Sequence, residues 1–171
     1  WHYTNKTVPS LKFWQRSHES ILCCWKGDTK PIFNRDDVRE PYSKNYLKCK
    51  GRKRAPTKGR YGDKETTYNV NEKGALPRDV IKCSTLAGGA GRTERVNHPT
   101  QKPLALSETL LKSALLKNDD GSYQNQLVVI PFCGSGSEVI TSCVLGVSVI
   151  AYEINPEYVR LAETRVGVLY T

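Results

Sequence analysis

The chain has 171 residues and a net charge of +9, from 26 Lys and Arg against 17 Asp and Glu, with 38% hydrophobic and 25% charged residues. This suits one compact domain, is thin for two, and is too apolar for a disordered chain. There is neither a signal-peptide pattern nor the run of about 18 apolar residues that a membrane helix needs.

Six cysteines (Cys23, Cys24, Cys49, Cys83, Cys133 and Cys143) include no C-x-x-C spacing, and two of them sit inside apolar runs. They read as reduced thiols of an intracellular protein, with no metal site and no disulfide framework. The chain begins at Trp1 and contains no methionine, as expected of a piece of a longer product.

In chain order, Ser20–Trp25 (S-I-L-C-C-W) reads as a buried strand ended by the turn Lys26-Gly27-Asp28. Residues 36–102 show little periodicity, which is long for a structureless loop and points to function. Within them, 43–60 carry eight cations and no acid: Lys44, Lys48, Lys50, Arg52, Lys53, Arg54, Lys58 and Arg60. With no local acids to pair with, the block is expected to project as a loop. It is either a plain solvated segment or a phosphate-contacting one.

Leu104–Leu116 has apolar residues at helical spacing after Pro103, and Asn118-Asp119-Asp120-Gly121 stops it. Gln126–Phe132 is an apolar strand, Cys133–Ser137 a glycine turn, Glu138–Leu145 a short helix and Val147–Tyr152 a second strand ending at Glu153. Asn155-Pro156 then starts a helix running to about Val166. Strand, glycine turn, helix, strand, acid and helix make a βαβα unit with a parallel sheet. Glu153 falls 19 residues after Gly134, where an acid meets a ribose hydroxyl. Val139 occupies the third glycine position of a dinucleotide fingerprint, so an adenosine ligand without pyrophosphate fits better. S-adenosylmethionine is the candidate.

Asn97-His98-Pro99-Thr100-Gln101-Lys102-Pro103, then P-F-C-G-S-G-S, then A-Y-E-I-N-P-E-Y-V-R-L-A-E-T-R, resemble the DNA methyltransferases that methylate adenine N6 or cytosine N4. The motif order resembles their permuted beta class. The likeness is continuous over 97–166, and Arg16–Leu22 resembles the family's upstream H-E-x-I-L strand.

The resemblance implies an α/β, Rossmann-like methyltransferase fold whose sheet is incomplete in this chain. It implies S-adenosylmethionine as cofactor, bound by Phe132, Gly134, Ser135 and Gly136 as the loop and Glu153 as ribose acceptor. Thr100 and Lys102 would approach the methionine portion. Lys48, Lys50, Arg52, Lys53, Arg54, Lys58 and Arg60 would contact DNA. Residues 1–42 would belong to the catalytic subdomain, 43–96 to target recognition and 97–171 to the cofactor subdomain. His98 is read as a turn residue rather than a catalyst.

Two departures stand out. Ile130 replaces the usual Asp, and the Asp/Asn/Ser-Pro-Pro-Tyr motif that holds the flipped base is absent, so no catalytic residue is assigned. Glu40-Pro41-Tyr42 is the nearest string, one proline short, and reads as a loop element. A homodimer is one expected arrangement, and association with a chain that carries the missing motif is another, in the cytoplasm and at the nucleoid through DNA, for a bacterial, archaeal or phage-encoded protein. A DNA-binding remnant without catalysis and a dinucleotide-dependent oxidoreductase are the alternatives.

Overall fold

The computed structural model describes residues 1–5, 10–54 and 65–170. Its elements are β1 (His2–Tyr3), α1 (Lys44–Leu47), β2 (Lys53–Arg54), β3 (Thr66–Thr67), β4 (Lys82–Cys83), α2 (Leu104–Ala114), β5 (Leu127–Ile130), α3 (Ser137–Val144), β6 (Ser148–Ala151) and α4 (Pro156–Gly167). Short 3-10 turns lie at Gly88–Gly91 and Val168–Tyr170. The chain divides into two units, Trp1–Asn34 with Arg78–Thr171, and Arg35–Pro77.

The first unit is built on β5 and β6, which pair in parallel with Leu127 opposite Ser148 and Ile130 opposite Ala151. Parallel neighbours need a crossover, and α3 supplies it. Leu115, Tyr123 and Val147 form the buried cluster, with Leu111, Val128 and Leu145 packed around it. The α2 end is closed by Asn34, whose Nδ2 donates to the carbonyl oxygens of Lys112, at 2.9 Å, and Leu115. These are two of the acceptors a helix end leaves without intrahelical donors. Helix α4 starts on Asn155, whose Oδ1 accepts from the Glu157 N–H at 2.9 Å, with Pro156 in the first turn.

The other face of the β5–β6 pair is open: Leu127 is 56% and Val129 54% exposed. Their unbroken apolar runs read as strands covered on both faces, and among the described residues only one face is covered. The sheet is incomplete in this chain, as expected.

Ser20–Trp25 departs from expectation. It forms no strand, and Leu22 and Trp25 are 86% and 56% exposed. An apolar run becomes a strand only where a neighbour completes its hydrogen bonds. Here pairing reaches as far as Tyr3 N–H to Ser17 O (2.8 Å) and Glu19 N–H to Trp1 O (2.9 Å). Parallel β1 and β4 lie alongside, with Tyr3 opposite Cys83.

The second unit corrects the reading of the basic block as a plain loop. Its residues 44–54 build α1, a turn and β2, which pairs antiparallel with β3. The aromatic content of the unit explains why. Tyr42 stacks on Tyr46 at 4.8 Å and 7°, and Tyr68 meets Tyr46 edge-on at 5.5 Å. Tyr46 Oη donates to Asn69 O at 3.1 Å, and Tyr42 Oη accepts from Asn71 N–H at 3.2 Å. Three rings thus provide apolar mass that the cations cannot, at the spacing favoured by aromatic pairs. Glu40-Pro41-Tyr42 is a loop element here, with Glu40 bridged to Ala75.

Ser107 is 2% exposed on α2 and its hydroxyl has no hydrogen-bond partner among the described residues. An orphaned buried hydroxyl is destabilising. Ser107→Ala should therefore raise stability by about 1 kcal/mol, seen as a higher urea midpoint at unchanged slope. A lower midpoint would mean the hydroxyl has a partner in solution.

Candidate cofactor-binding site

The site forms where the first strand of the parallel pair ends. Cys133 N–H donates to Tyr152 O at 2.9 Å, and the chain then turns through Gly134 and Gly136, both left-handed with φ of 50° and 77°. What lies beneath the loop adds to the demand for glycine. A side chain on Gly134 would come within 2.9 Å of His98 Nε2, and one on Gly136 within 2.8 Å of Ala162 Cβ on α4. The glycines were expected to admit a ligand; what the structure shows them admitting is the loop's own supports, His98 and Ala162.

Glu153 ties the loop to α4. Its Oε2 accepts from Gly134 N–H and its Oε1 from Asn155 N–H, each at 2.9 Å. The Asn155 N–H bond, opposed by some desolvation and joined by the Gly134 bond, holds the Glu153 carboxyl below its ordinary range. Each carboxylate oxygen has two lone pairs, so both keep an acceptor site after these bonds. Phe132 beside the loop is 91% exposed, whereas Ser135 and Gly136 are buried.

The 94–103 segment braces this loop from below. His98 packs against Tyr158 with ring centroids 4.4 Å apart, and its Nδ1 accepts from Thr100 N–H at 3.3 Å. Thr100 itself is exposed. Gln101 holds its own turn: its Oε1 accepts from Val96 N–H at 2.8 Å and its Nε2 donates to Glu94 O at 2.9 Å. Lys102 Nζ donates to Glu19 Oε2 at 2.7 Å and lies 5.2 Å from the Trp1 ring centre. Tyr3 Oη donates to the other oxygen of Glu19. Burial, then this bond, pushes the Tyr3 phenol up to about 12. Lys102 O accepts from Ser137 Oγ at 2.8 Å, joining the segment to α3.

Phe132, Gly134, Ser135, Gly136 and Glu153 therefore come together, while the Lys102 ammonium points to Glu19. Sequence reading missed Arg165, whose Nη1 donates to Ser135 O at 2.5 Å and whose desolvation lowers its pKa. Its place on the inner face of α4 was the available signal. Ile130, in place of an acid, is buried at the end of β5.

In the second unit, Lys48, Lys50 and Arg52 are exposed. Lys53 pairs with Glu65 at 3.1 Å, and the Arg54 guanidinium lies 5.8 Å from the centre of the Tyr68 ring. Lys58 and Arg60 lie outside the described residues.

The sequence model of the N6/N4 methyltransferases, described as DNA methylase, matches residues 1–164. The chain belongs to this DNA methylase family. The DNA adenine methyltransferase YhdJ of Escherichia coli (strain K12) is 37% identical over 169 residues, covering 98% of this chain and 51% of that protein. The type II methyltransferase M.HpaI of Haemophilus parainfluenzae is 28% identical over 165 residues, 96% of this chain and 43% of that one. The crystal structure of an M1.HpyAVI–SAM complex is 31% identical and covers 56% of this chain and 40% of its own, with a TM-score of 0.41. This DNA methylase chain spans about half the length of the curated relatives it matches. All six cysteines are unpaired, and no described helix is long and apolar enough to cross a membrane.

Glu19 is held below its ordinary value of 4.5 first by Lys102 and then by Tyr3. A carboxyl pKa lowered on folding stabilises fully above the unfolded value and loses that stabilisation as pH falls through the folded one. The urea midpoint should thus hold level above about pH 4.5 and fall below it, and Glu19→Gln should flatten part of that fall. An identical acid profile in the variant would show that Glu19 takes no part in it.

Proposed function

We propose that this chain is the cofactor-binding and DNA-contacting portion of a DNA amino-methyltransferase, which transfers a methyl group from S-adenosylmethionine to adenine N6 or cytosine N4. The observation that carries the cofactor reading is Glu153: an ionised carboxylate at the end of β6, fixed by two backbone N–H groups and with acceptor capacity left on both oxygens. A ribose diol needs two such acceptors side by side.

The residues present fit an adenosine sulfonium ligand. Glu153 would take the ribose hydroxyls and the exposed Phe132 ring would offer an apolar surface. Gly134, Ser135 and Gly136 would floor the site, and Thr100 and Lys102 would face the methionine end. There the ligand's carboxylate would share the Lys102 ammonium with Glu19. When bound, S-adenosylmethionine supplies the electrophilic methyl group. The chain's part is to hold and orient it, which is where much of a transfer reaction's acceleration arises.

The acceptor amine has its lone pair delocalised into the base, and a polar motif must draw that pair toward the methyl. Residues 1–171 include no such motif. The reaction therefore belongs to the whole protein, with the base-holding group supplied from outside residues 1–171, by further polypeptide or by a partner chain that carries the motif. The setting is the cytoplasm of a bacterial or archaeal cell, with or without a phage, as in restriction–modification. Residues 1–42 and 97–171 serve the catalytic and cofactor subdomains. Residues 43–96 serve target recognition, with Lys48, Lys50, Arg52, Lys53, Arg54, Lys58 and Arg60 against DNA phosphates.

Two measurements test this. Calorimetric titration of the chain with S-adenosylmethionine should show one-to-one binding, weakened at least tenfold in Glu153→Ala with circular dichroism unchanged. Absence of binding by the native protein sinks the cofactor reading. Neutralising Lys50, Arg52, Lys53 and Arg54 together should weaken duplex binding and reduce the slope of log K against log salt by roughly one unit for each phosphate no longer neutralised. An unchanged slope returns the block to a solvated surface.

A further inference from the structure

A cleft of about 550 Å³, used by none of the cofactor contacts above, is walled by Gly88, Arg92, Arg95 and the 96–99 turn. Arg92 and Arg95 are exposed, and among the described residues neither enters an ion pair. The only acid of the 88–99 stretch is Glu94, and its carboxylate is turned away: Oε1 accepts from Leu104 N–H at 2.7 Å, at the start of α2. The cleft thus carries two guanidinium charges with no carboxylate of its own segment facing them.

The frame around those arginines is held at several points. Gly91 sits so close to Leu86 that a side chain there would fall 2.7 Å from its backbone, and the Arg95 N–H donates to Gly91 O at 2.7 Å. Gln101 clamps both neighbours of Arg95 through Glu94 O and Val96 N–H. His98 forms part of the wall and also supports Gly134, so the cleft adjoins the floor of the glycine loop.

We propose that this cleft is an oxyanion site that takes a phosphate group of the DNA, beside the bound cofactor. The inference rests on the DNA reading above and adds a contact outside the basic block. Guanidinium pairs suit phosphate because each offers a planar fork of donors and stays charged at any working pH. The cofactor's own anionic group is the poorer match. Its carboxylate comes with an ammonium and a sulfonium, so the ligand is net positive and would meet two cations with no acid of the cleft's own segment to receive its ammonium.

The test is the double variant Arg92→Gln/Arg95→Gln in the full chain, with Arg92→Lys/Arg95→Lys beside it and circular dichroism on both. Duplex affinity should fall in the Gln variant, with the salt slope reduced by about one to two units. The Lys variant should recover the slope, and S-adenosylmethionine affinity should stay within twofold in both. An unchanged duplex slope overturns the proposal, as does an effect confined to S-adenosylmethionine binding. If the native chain binds no duplex at all, the DNA reading itself fails. Inorganic pyrophosphate then judges the cleft: tighter binding by native protein than by the Gln variant keeps an oxyanion site for free phosphate, and equal binding ends it.

Discussion

The carboxylate of Glu153 is the interaction on which the rest of the site depends. It accepts from Gly134 N–H on one oxygen and Asn155 N–H on the other. One side chain thereby ties the loop after β5 to the start of α4. Without it, two backbone donors at the mouth of the site would lose their partner, and the left-handed turns at Gly134 and Gly136 would be held only from beneath. Because the bonds leave lone pairs on both oxygens, the same group can shape the loop and still receive a ligand. On the proposed reading, structure and binding would then be one arrangement, with the acceptor organised before any ligand arrives.

The support beneath the loop works in the same way. His98 fills the space a Gly134 side chain would need, Tyr158 backs His98, and Ala162 lies under Gly136. Gln101 uses its amide on its own turn, and Lys102 reaches Glu19 through its side chain and Ser137 through its carbonyl. The His-Pro-Thr-Gln-Lys-Pro segment is in this light a brace, whose side-chain and backbone bonds fix the height of the glycine loop.

What could be read from the sequence was what is local in the chain. The helices α2, α3 and α4, the strands β5 and β6, and the Gly134-to-Glu153 spacing depend on periodicity, glycine and capping residues, and these fall where expected. Contacts between distant residues were not legible. Lys102 and Glu19 are 83 positions apart, and nothing in either neighbourhood announces the pair. Arg165 was visible as a helix-face residue but its acceptor, Ser135 O, was not. Ser20–Trp25 failed for a related reason: hydrophobicity marks a strand only if a neighbour is there to pair with it. The basic block failed in the opposite direction, because Tyr42, Tyr46 and Tyr68 meet only after the chain turns back on itself.

The central claim, that the Glu153-tied loop is the seat of an adenosine cofactor, is tested most directly by following backbone amides in nuclear magnetic resonance while S-adenosylmethionine is added. The Gly134, Ser135 and Asn155 amides should shift first and saturably, with the second-unit amides unmoved. Saturable shifts that spare Gly134 and Asn155 would place the ligand elsewhere and contradict the claim.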